Sequence, residues 1–157
     1  MADDEHPNVS ADLIWECCRQ NNSYLVKRKT AGGLQFSRDP YNLTNKHSRK
    51  YDGFVSNRAV GLLPAEKGGV TLITKKSKHL NRPSSNKNEV TFSGQKSGPK
   101  IYKGVVNYTA KKGYRADLRQ EAVARASAIH QSQQPKKEIP EKKLRGAKAK
   151  AAAEKDL

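Results

Sequence analysis

Apolar residues in this chain come in short groups separated by turn-forming residues. The first group, ADLIWECC, follows Ser10 and has Ile14, Cys17 and Cys18 at helical spacing with Trp15 beside them. It predicts a short helix over about residues 10–20. Ser10 is the candidate N-cap, because its hydroxyl can accept a first-turn N–H, and Asn21-Asn22 marks the stop. Trp15 reads as a core anchor whose indole N–H finds one partner. The period then changes. In SYLVKRKTAGGLQFSRD, Tyr24 and Val26 alternate with Leu25 and Lys27, while Leu34 and Phe36 flank Gln35; Gly32-Gly33 supplies the positive φ of a tight hairpin turn. AVGLLPAEKGGVTLITKK repeats the device around Gly68-Gly69, with a β-branched return arm. Tyr24, Val26, Leu34, Phe36, Leu62, Leu72 and Ile73 are expected at buried or half-buried positions of the resulting sheet; alternation alone leaves open which side faces inward.

The intervening DPYNLTNKHSRKYDGFVSNR is rich in Asn, Asp, Pro and Lys and predicts a structured loop, then a short strand at Phe54 and Val55. From Lys75 to Lys103 the pattern nearly vanishes. Lys75, Lys76, Lys78, Arg82, Lys87, Lys96 and Lys100 stand against one acid, Glu89, among Pro, Ser, Gly and Asn. Such a stretch buries too little apolar surface to offset its ordering entropy, so it is expected to be mobile over 75–100 unless an anionic surface holds it. Helical character returns weakly over IYKGVVNYTAKK and strongly over YRADLRQEAVARASAIHQSQ, residues 114–133. There Asp117 is the expected N-cap, with Gln120 completing a capping box. Leu118, Ala122, Ala126 and Ile129 fall on one narrow face, bordered by Arg119 and Arg125. Arg115 precedes the cap. These three arginines suit a phosphate group; the competing reading is an exposed helix with solvated arginines, Arg125 pairing with Glu121. Pro135 closes the helix, and the chain shows no internal repeat.

Charge changes the picture most. Lys and Arg total 31 against 15 Asp and Glu among 157 residues, a formal net charge of +16. That imbalance points to a polyanion, nucleic acid before others. At 34% hydrophobic, part of the chain has to be surface, tail or partner-ordered. Adjacent Cys17 and Cys18 do not suit an unstrained disulfide, and they read as reduced thiols in a helix near the core. The four histidines are not at metal-ligand spacing, so no metal and no cofactor is expected. With an acidic, polar start no secretory signal is expected, and no run of about 18 apolar residues exists to span a membrane. No phosphate loop, nucleophile elbow or paired-carboxylate pattern occurs, so the chain is not read as an enzyme and no small-molecule substrate is expected. RNP1, G-x-x-G and zinc-knuckle signatures are also absent, and 6% aromatic content argues against binding single strands by stacking. The charge is left to meet phosphate on a folded nucleic acid.

Four stretches together resemble the eukaryotic large-subunit ribosomal protein family numbered twenty-eight, the e-type: ADLIWECCRQNNSYLVKR (11–28), NLTNKHSRKYDGFVSNRAVGL (42–62), GVTLITKKS (69–77) and KKGYRADLRQEAVARASAIHQSQ (111–133). The last is the most distinctive, with Y-R-x-D-L-R followed by R-A-S-A-I and S-Q. The resemblance covers about residues 10–135. It departs from the family pattern at Ala116, where proline is usual, and over 82–110. It implies an α+β fold: a small antiparallel sheet built from hairpins, a short N-terminal helix and C-terminal helices packed on it, and basic extensions. The division is an acidic flexible N-terminus (1–9), a ribosomal-protein domain (10–134) and a Lys/Ala-rich tail (135–157). The implied role is a structural constituent of the cytosolic large ribosomal subunit, passing through the nucleolus during assembly, with large-subunit ribosomal RNA and neighbouring ribosomal proteins as partners. Two alternatives stay open: a nucleolar assembly factor sharing a similar N-terminal domain, and a basic scaffold binding acidic proteins. The residues expected to meet RNA are Lys27, Arg28, Arg38, Lys46, Arg49, Lys50, Arg58, Lys75, Lys76, Lys78, Arg82, Lys87, Lys111, Lys112, Arg115, Arg119 and Arg125.

Overall fold

A computed structural model of the protein describes residues 9–30, 32–76, 82–136, 138, 145–147 and 154. The first helix, α1, spans Ala11–Cys18 and begins where expected, with the Leu13 N–H donating to Ser10 Oγ at 3.2 Å. Its inward face is narrower than expected. Trp15 alone is buried, 4.8 Å from the His47 ring, while Leu13 and Ile14 are exposed. Cys17 is exposed and Cys18 half-buried, both free, which corrects the expectation of thiols near a core.

Two antiparallel sheets follow. The first hairpin pairs β1 (Leu25–Lys27) with β2 (Gln35–Ser37) in the register Val26 opposite Phe36, turning through Gly32 and Gly33 at positive φ. Tyr24 and Val26 are half-buried, but Leu34 and Phe36 are exposed, against expectation. The ribbon has only two strands, and nothing among the described residues covers that end of this face. The second hairpin, β3 (Val60–Pro64) and β4 (Gly69–Lys75), forms as read. A third strand, β5 (Lys87–Ser93), pairs along the whole of β4, so this part of the polar segment is sheet rather than mobile loop. Residues 77–81 lie outside the described residues.

One face of β3-β4-β5 presents Val60, Leu62, Val70, Leu72 and Phe92. Against it pack α2 (Gly98–Val106), through Ile101 and Val105, and α3 (Arg119–Ser132), through Ala122, Ala126 and Ile129. Small residues on α3 let it approach the sheet closely, and Leu118 joins the same core. The start of α3 differs from expectation. Ala116–Leu118 is a 3₁₀ turn, Leu118 stands at the N-cap, and the Asp117 carboxylate is engaged by Arg115 rather than by helix amides.

The sheet's other face is covered at Ile73 by the loop between the hairpins. Gly61 lets this happen, since a Cβ there would lie 2.2 Å from the Pro40 carbonyl oxygen. Phe54 and Val55 form no strand; they belong to this loop, whose backbone is tied by buried carboxylates. Asp39 accepts from the Tyr41 and Gly53 N–H groups at 2.9 and 3.0 Å, and Asp52 accepts from Val55 N–H at 3.1 Å. Burial pushes the Asp52 carboxyl up in pKa. The sequence shows polar residues here; the structure shows them replacing the missing hydrogen-bond ladder.

Candidate nucleic-acid interface

The expected RNA-contacting residues separate into those whose charge faces outward and those whose donors are already engaged. Lys75 is of the second kind. It projects from β4 on the Ile73 side and donates to the carbonyls of Gly53, Phe54 and Ser56 at 2.6, 3.1 and 3.1 Å. An ammonium has three protons, and all three are used. Burial draws its pKa down, opposed by the carboxylates of Asp39 and Asp52. This lysine ties the loop to the sheet.

Arg115 is a second tie. Its guanidinium donates to the Arg58 and Lys50 carbonyls at 2.9 and 3.0 Å and grips Asp117 through two bonds of 2.9 and 2.8 Å. That grip holds the Asp117 carboxyl below its usual range. Arg49 pairs with Asp12 at 2.7 Å and donates to Ser56 Oγ, joining α1 to the loop. Lys50 pairs with Glu121, which also accepts from Tyr51 OH at 3.2 Å, so the Arg125–Glu121 pair of the competing reading does not form. Lys87 pairs with Glu89.

Lys76 is exposed, and its ammonium donates to the Ser85 carbonyl at 3.3 Å. The remaining cations point outward. Among the described residues, the side chains of Arg28, Arg38, Lys46, Arg58, Arg119 and Arg125 make no hydrogen bond or ion pair. Lys27, Arg82 and Lys111 are exposed as well, and Lys78 lies outside the described residues. Arg119 is exposed and Arg125 half-buried on α3, beside the apolar face.

One cleft gathers several of these charges. It has a volume of 370 Å³ and is lined by Arg58, Lys75, Lys76, Lys112, Asn88, Thr74, Tyr108 and Tyr114 with Gly113, and no acid lines it. Its parts come from distant segments: the loop before β3, the end of β4, β5, and the turn after α2. Asn107–Lys111 winds as a π-helix, the wide form that recurs at functional sites. Its buried Thr109 donates to the Val105 carbonyl at 2.9 Å, and the N–H groups of Tyr114 and Arg115 return to the Thr109 carbonyl. The bulge sets Tyr108 and Lys112 at the cleft, with the ammonium 4.4 Å from the ring centre. Tyr114 closes the floor. Burial raises its phenol pKa, and the O–H donates to the Lys75 carbonyl at 2.6 Å. Arg115 fixes the backbone of Arg58 from behind.

Sequence reading names the cations of this cleft but misses Asn88, Thr74, Tyr108 and Tyr114. Asn88 comes from β5, and Tyr108 and Tyr114 from the π-turn and the residues after it, neither of which leaves a periodic signal; Thr74 lies on the expected arm β4. The neutral polar side chains of Asn88, Thr74 and Tyr108 beside the charges of Arg58, Lys76 and Lys112 suit a phosphate-bearing ligand, which needs charge and directed hydrogen bonds together. Among the described residues no group of His, Cys, Asp and Glu could hold a metal ion, and no helix is long and apolar enough to cross a membrane.

Residues 13–132 match the model of the Ribosomal L28e protein family. The chain is similar to the "Large ribosomal subunit protein eL28" of Schizosaccharomyces pombe, 41% identical over 133 residues that cover 84% of this chain and 98% of that protein. It is also similar to the proteins of the same name from Dictyostelium discoideum and Trypanosoma cruzi. The first is 35% identical over 85 residues, 54% of this chain and 61% of the relative. The second is 32% identical over 76 residues, 48% and 49%.

Proposed function

The chain belongs to the Ribosomal L28e protein family, and from that membership we propose that it is a structural constituent of the large ribosomal subunit that binds ribosomal RNA through phosphate contacts. The observation that carries the RNA reading is the acid-free cleft of Arg58, Lys76 and Lys112, presented by a chain of net charge +16. Its outward cations exchange condensed counterions for protein contacts, which is where most affinity for nucleic acid arises. Lys75, Tyr114 and Arg115 hold the backbone behind these residues, so the charges are set in place before RNA arrives. Outward Arg119, Arg125 and Lys111 extend the basic surface. The match to 98% of the S. pombe relative's length favours a ribosomal constituent over the longer assembly factor. The site of action is then the cytoplasmic ribosome, reached through the nucleolus, with large-subunit RNA and neighbouring ribosomal proteins as partners. The role is structural, with no reaction assigned.

The test replaces Arg58, Lys76 and Lys112 with glutamine together. All three side chains are exposed, so the fold is expected to persist. Affinity for large-subunit RNA should fall, and the slope of log affinity against log salt should flatten by about 2–3, as expected for as many lost phosphate contacts. Co-sedimentation with large subunits should weaken in parallel. A folded triple variant with the wild-type salt slope and unchanged co-sedimentation would remove the cleft from the interface.

A further inference from the structure

The exposed face of the first hairpin is built differently from the cleft. Val26 and Phe36 are cross-strand partners, so their side chains lie on one face of the ribbon. Arg28 N–H bonds to the Leu34 carbonyl at 3.2 Å and Arg38 N–H to the Tyr24 carbonyl at 2.9 Å, which places both of those pairs on the same face, one step either side. The face therefore reads, level by level, Arg28 with Leu34, Val26 with Phe36, and Tyr24 with Arg38. Leu34 is 53% and Phe36 39% exposed, while neither arginine is paired among the described residues. Together they line a groove of 530 Å³. The ribbon sequence also carries Lys27 and Lys29 and no acid between Tyr24 and Arg38.

We propose that this face captures an unstacked nucleotide of a single-stranded RNA segment, its base lying on Phe36 between Arg28 and Arg38, which take the flanking phosphates. A nucleotide joins a flat, weakly polar face to an anionic group in every unit. That is the combination an exposed aromatic between two unpaired guanidinium groups fits. A peptide occupant would have to be apolar at its centre and acidic at both ends. The arginines stand on opposite strands and opposite ends, four residues apart along the ribbon, or about 13 Å at the rise of a strand. A chain crossing the ribbon diagonally meets one, then Phe36, then the other. The low aromatic content of the sequence argues against stacking as the main mode of binding; one exposed phenylalanine at the centre of a basic groove is enough for a single base. The proposal rests on the RNA reading above and adds a base contact to phosphate contacts.

The experiment measures binding of the full-length protein to two probes, a short unstructured RNA and a short RNA duplex, for wild type, Phe36→Leu, Phe36→Tyr and the double variant Arg28→Gln/Arg38→Gln. Phe36 is exposed, and thermal melts confirm folding of each variant. The Phe36→Leu change should weaken single-strand binding by about tenfold, within the range of one stacked base, and leave duplex binding within about twofold. Tyrosine should restore the loss. The double arginine variant should flatten the single-strand salt slope by about 1.4, two phosphates at roughly 0.7 each. Equal single-strand affinity for leucine and phenylalanine would overturn the proposal while leaving the cleft reading intact. Loss of subunit incorporation with unchanged RNA affinity and a cross-link from this face to a neighbouring protein would assign the groove to protein instead. A wild-type protein that binds neither probe would overturn the RNA reading and this proposal with it.

Discussion

Three basic side chains that look alike in the sequence do different work. Arg115, with its side chain 17% exposed, spends its guanidinium on two backbone carbonyls and Asp117, whereas Arg119 and Arg125 make no ion pair among the described residues. Replacing Arg115 by glutamine leaves the Arg58 and Lys50 carbonyls without their donor and separates the Asp117 pair. Each is a charge-assisted bond, so the expected loss is about 1–3 kcal/mol, seen as a lower urea midpoint. The same change at Arg119 or Arg125 should move stability by less than about 0.5 kcal/mol. The pH dependence follows from Asp117, whose carboxyl is depressed first by the hydrogen bond from Arg115. A depressed acid adds stability that is fully present above its ordinary value of 3.8 and disappears as pH falls through the lower folded value. Arg115→Gln removes that contribution in advance. The gap between wild type and variant should therefore narrow as pH drops below about 3.8, the part that remains being the two carbonyl bonds. Because Asp117 is about half exposed, solvent screening keeps this pH-dependent part small. A gap that stays constant down to strong acid would show that the carboxylate adds nothing.

At the scale of elements, hairpins and the α3 seam are legible because each carries its own local signal: a glycine pair between alternating arms, and four apolar positions at helical spacing. What fails to show is whatever depends on a distant partner. In KNEVTFS only Val90 and Phe92 are apolar, so β5 reads as linker; it is a strand because β4 offers a complete ladder. Asp117 has the sequence of a cap, yet Arg115 competes for its carboxylate and wins. Lys75 reads as one more surface cation, and its three acceptors lie in a loop about 20 positions back in sequence. The cations of the basic cleft were legible, and their shared location was not. The two hairpin turns give an element-level test. Gly33 has φ +72° and open space around its would-be Cβ, whereas at Gly69, with φ +102°, a Cβ would sit 2.1 Å from the Phe92 carbonyl oxygen. Valine at position 33 carries backbone strain alone, of order 1–3 kcal/mol. Valine at position 69 adds a clash with β5 and displaces the Gln133 side chain, which bridges Gly69 N–H and C=O at 2.7 and 2.9 Å. Thermal melts should show a modest decrease for Gly33→Val and loss of cooperative folding for Gly69→Val. Similar melting of both would mean that β4 and β5 do not pair closely at that end.

Across the whole molecule the charge is divided between a packed body and a C-terminal stretch. The family match ends at residue 132, and the S. pombe relative uses 98% of its own length in matching 133 residues of this chain. Residues 136–157 hold eight basic and four acidic side chains, a net of 8 − 4 = +4, which leaves 16 − 4 = +12 on residues 1–135. Every charged residue named in the cleft and on the hairpin face lies in that body, as do the ties Lys75 and Arg115 that hold the cleft. Counterion release follows the number of phosphates met, and most of the outward cations remain when the tail is removed. A chain truncated after Pro135 should therefore melt within about 2 °C of the full-length protein, since the truncation removes none of the described core. Its incorporation into large subunits should stay within about twofold, while affinity for bulk RNA at low salt falls modestly through the lost charges. Sedimentation of tagged full-length and truncated chains with large subunits, at matched expression, reads this directly. Exclusion of the truncated chain from subunits, with its melting unchanged, would assign the tail an anchoring contact that the body cannot replace.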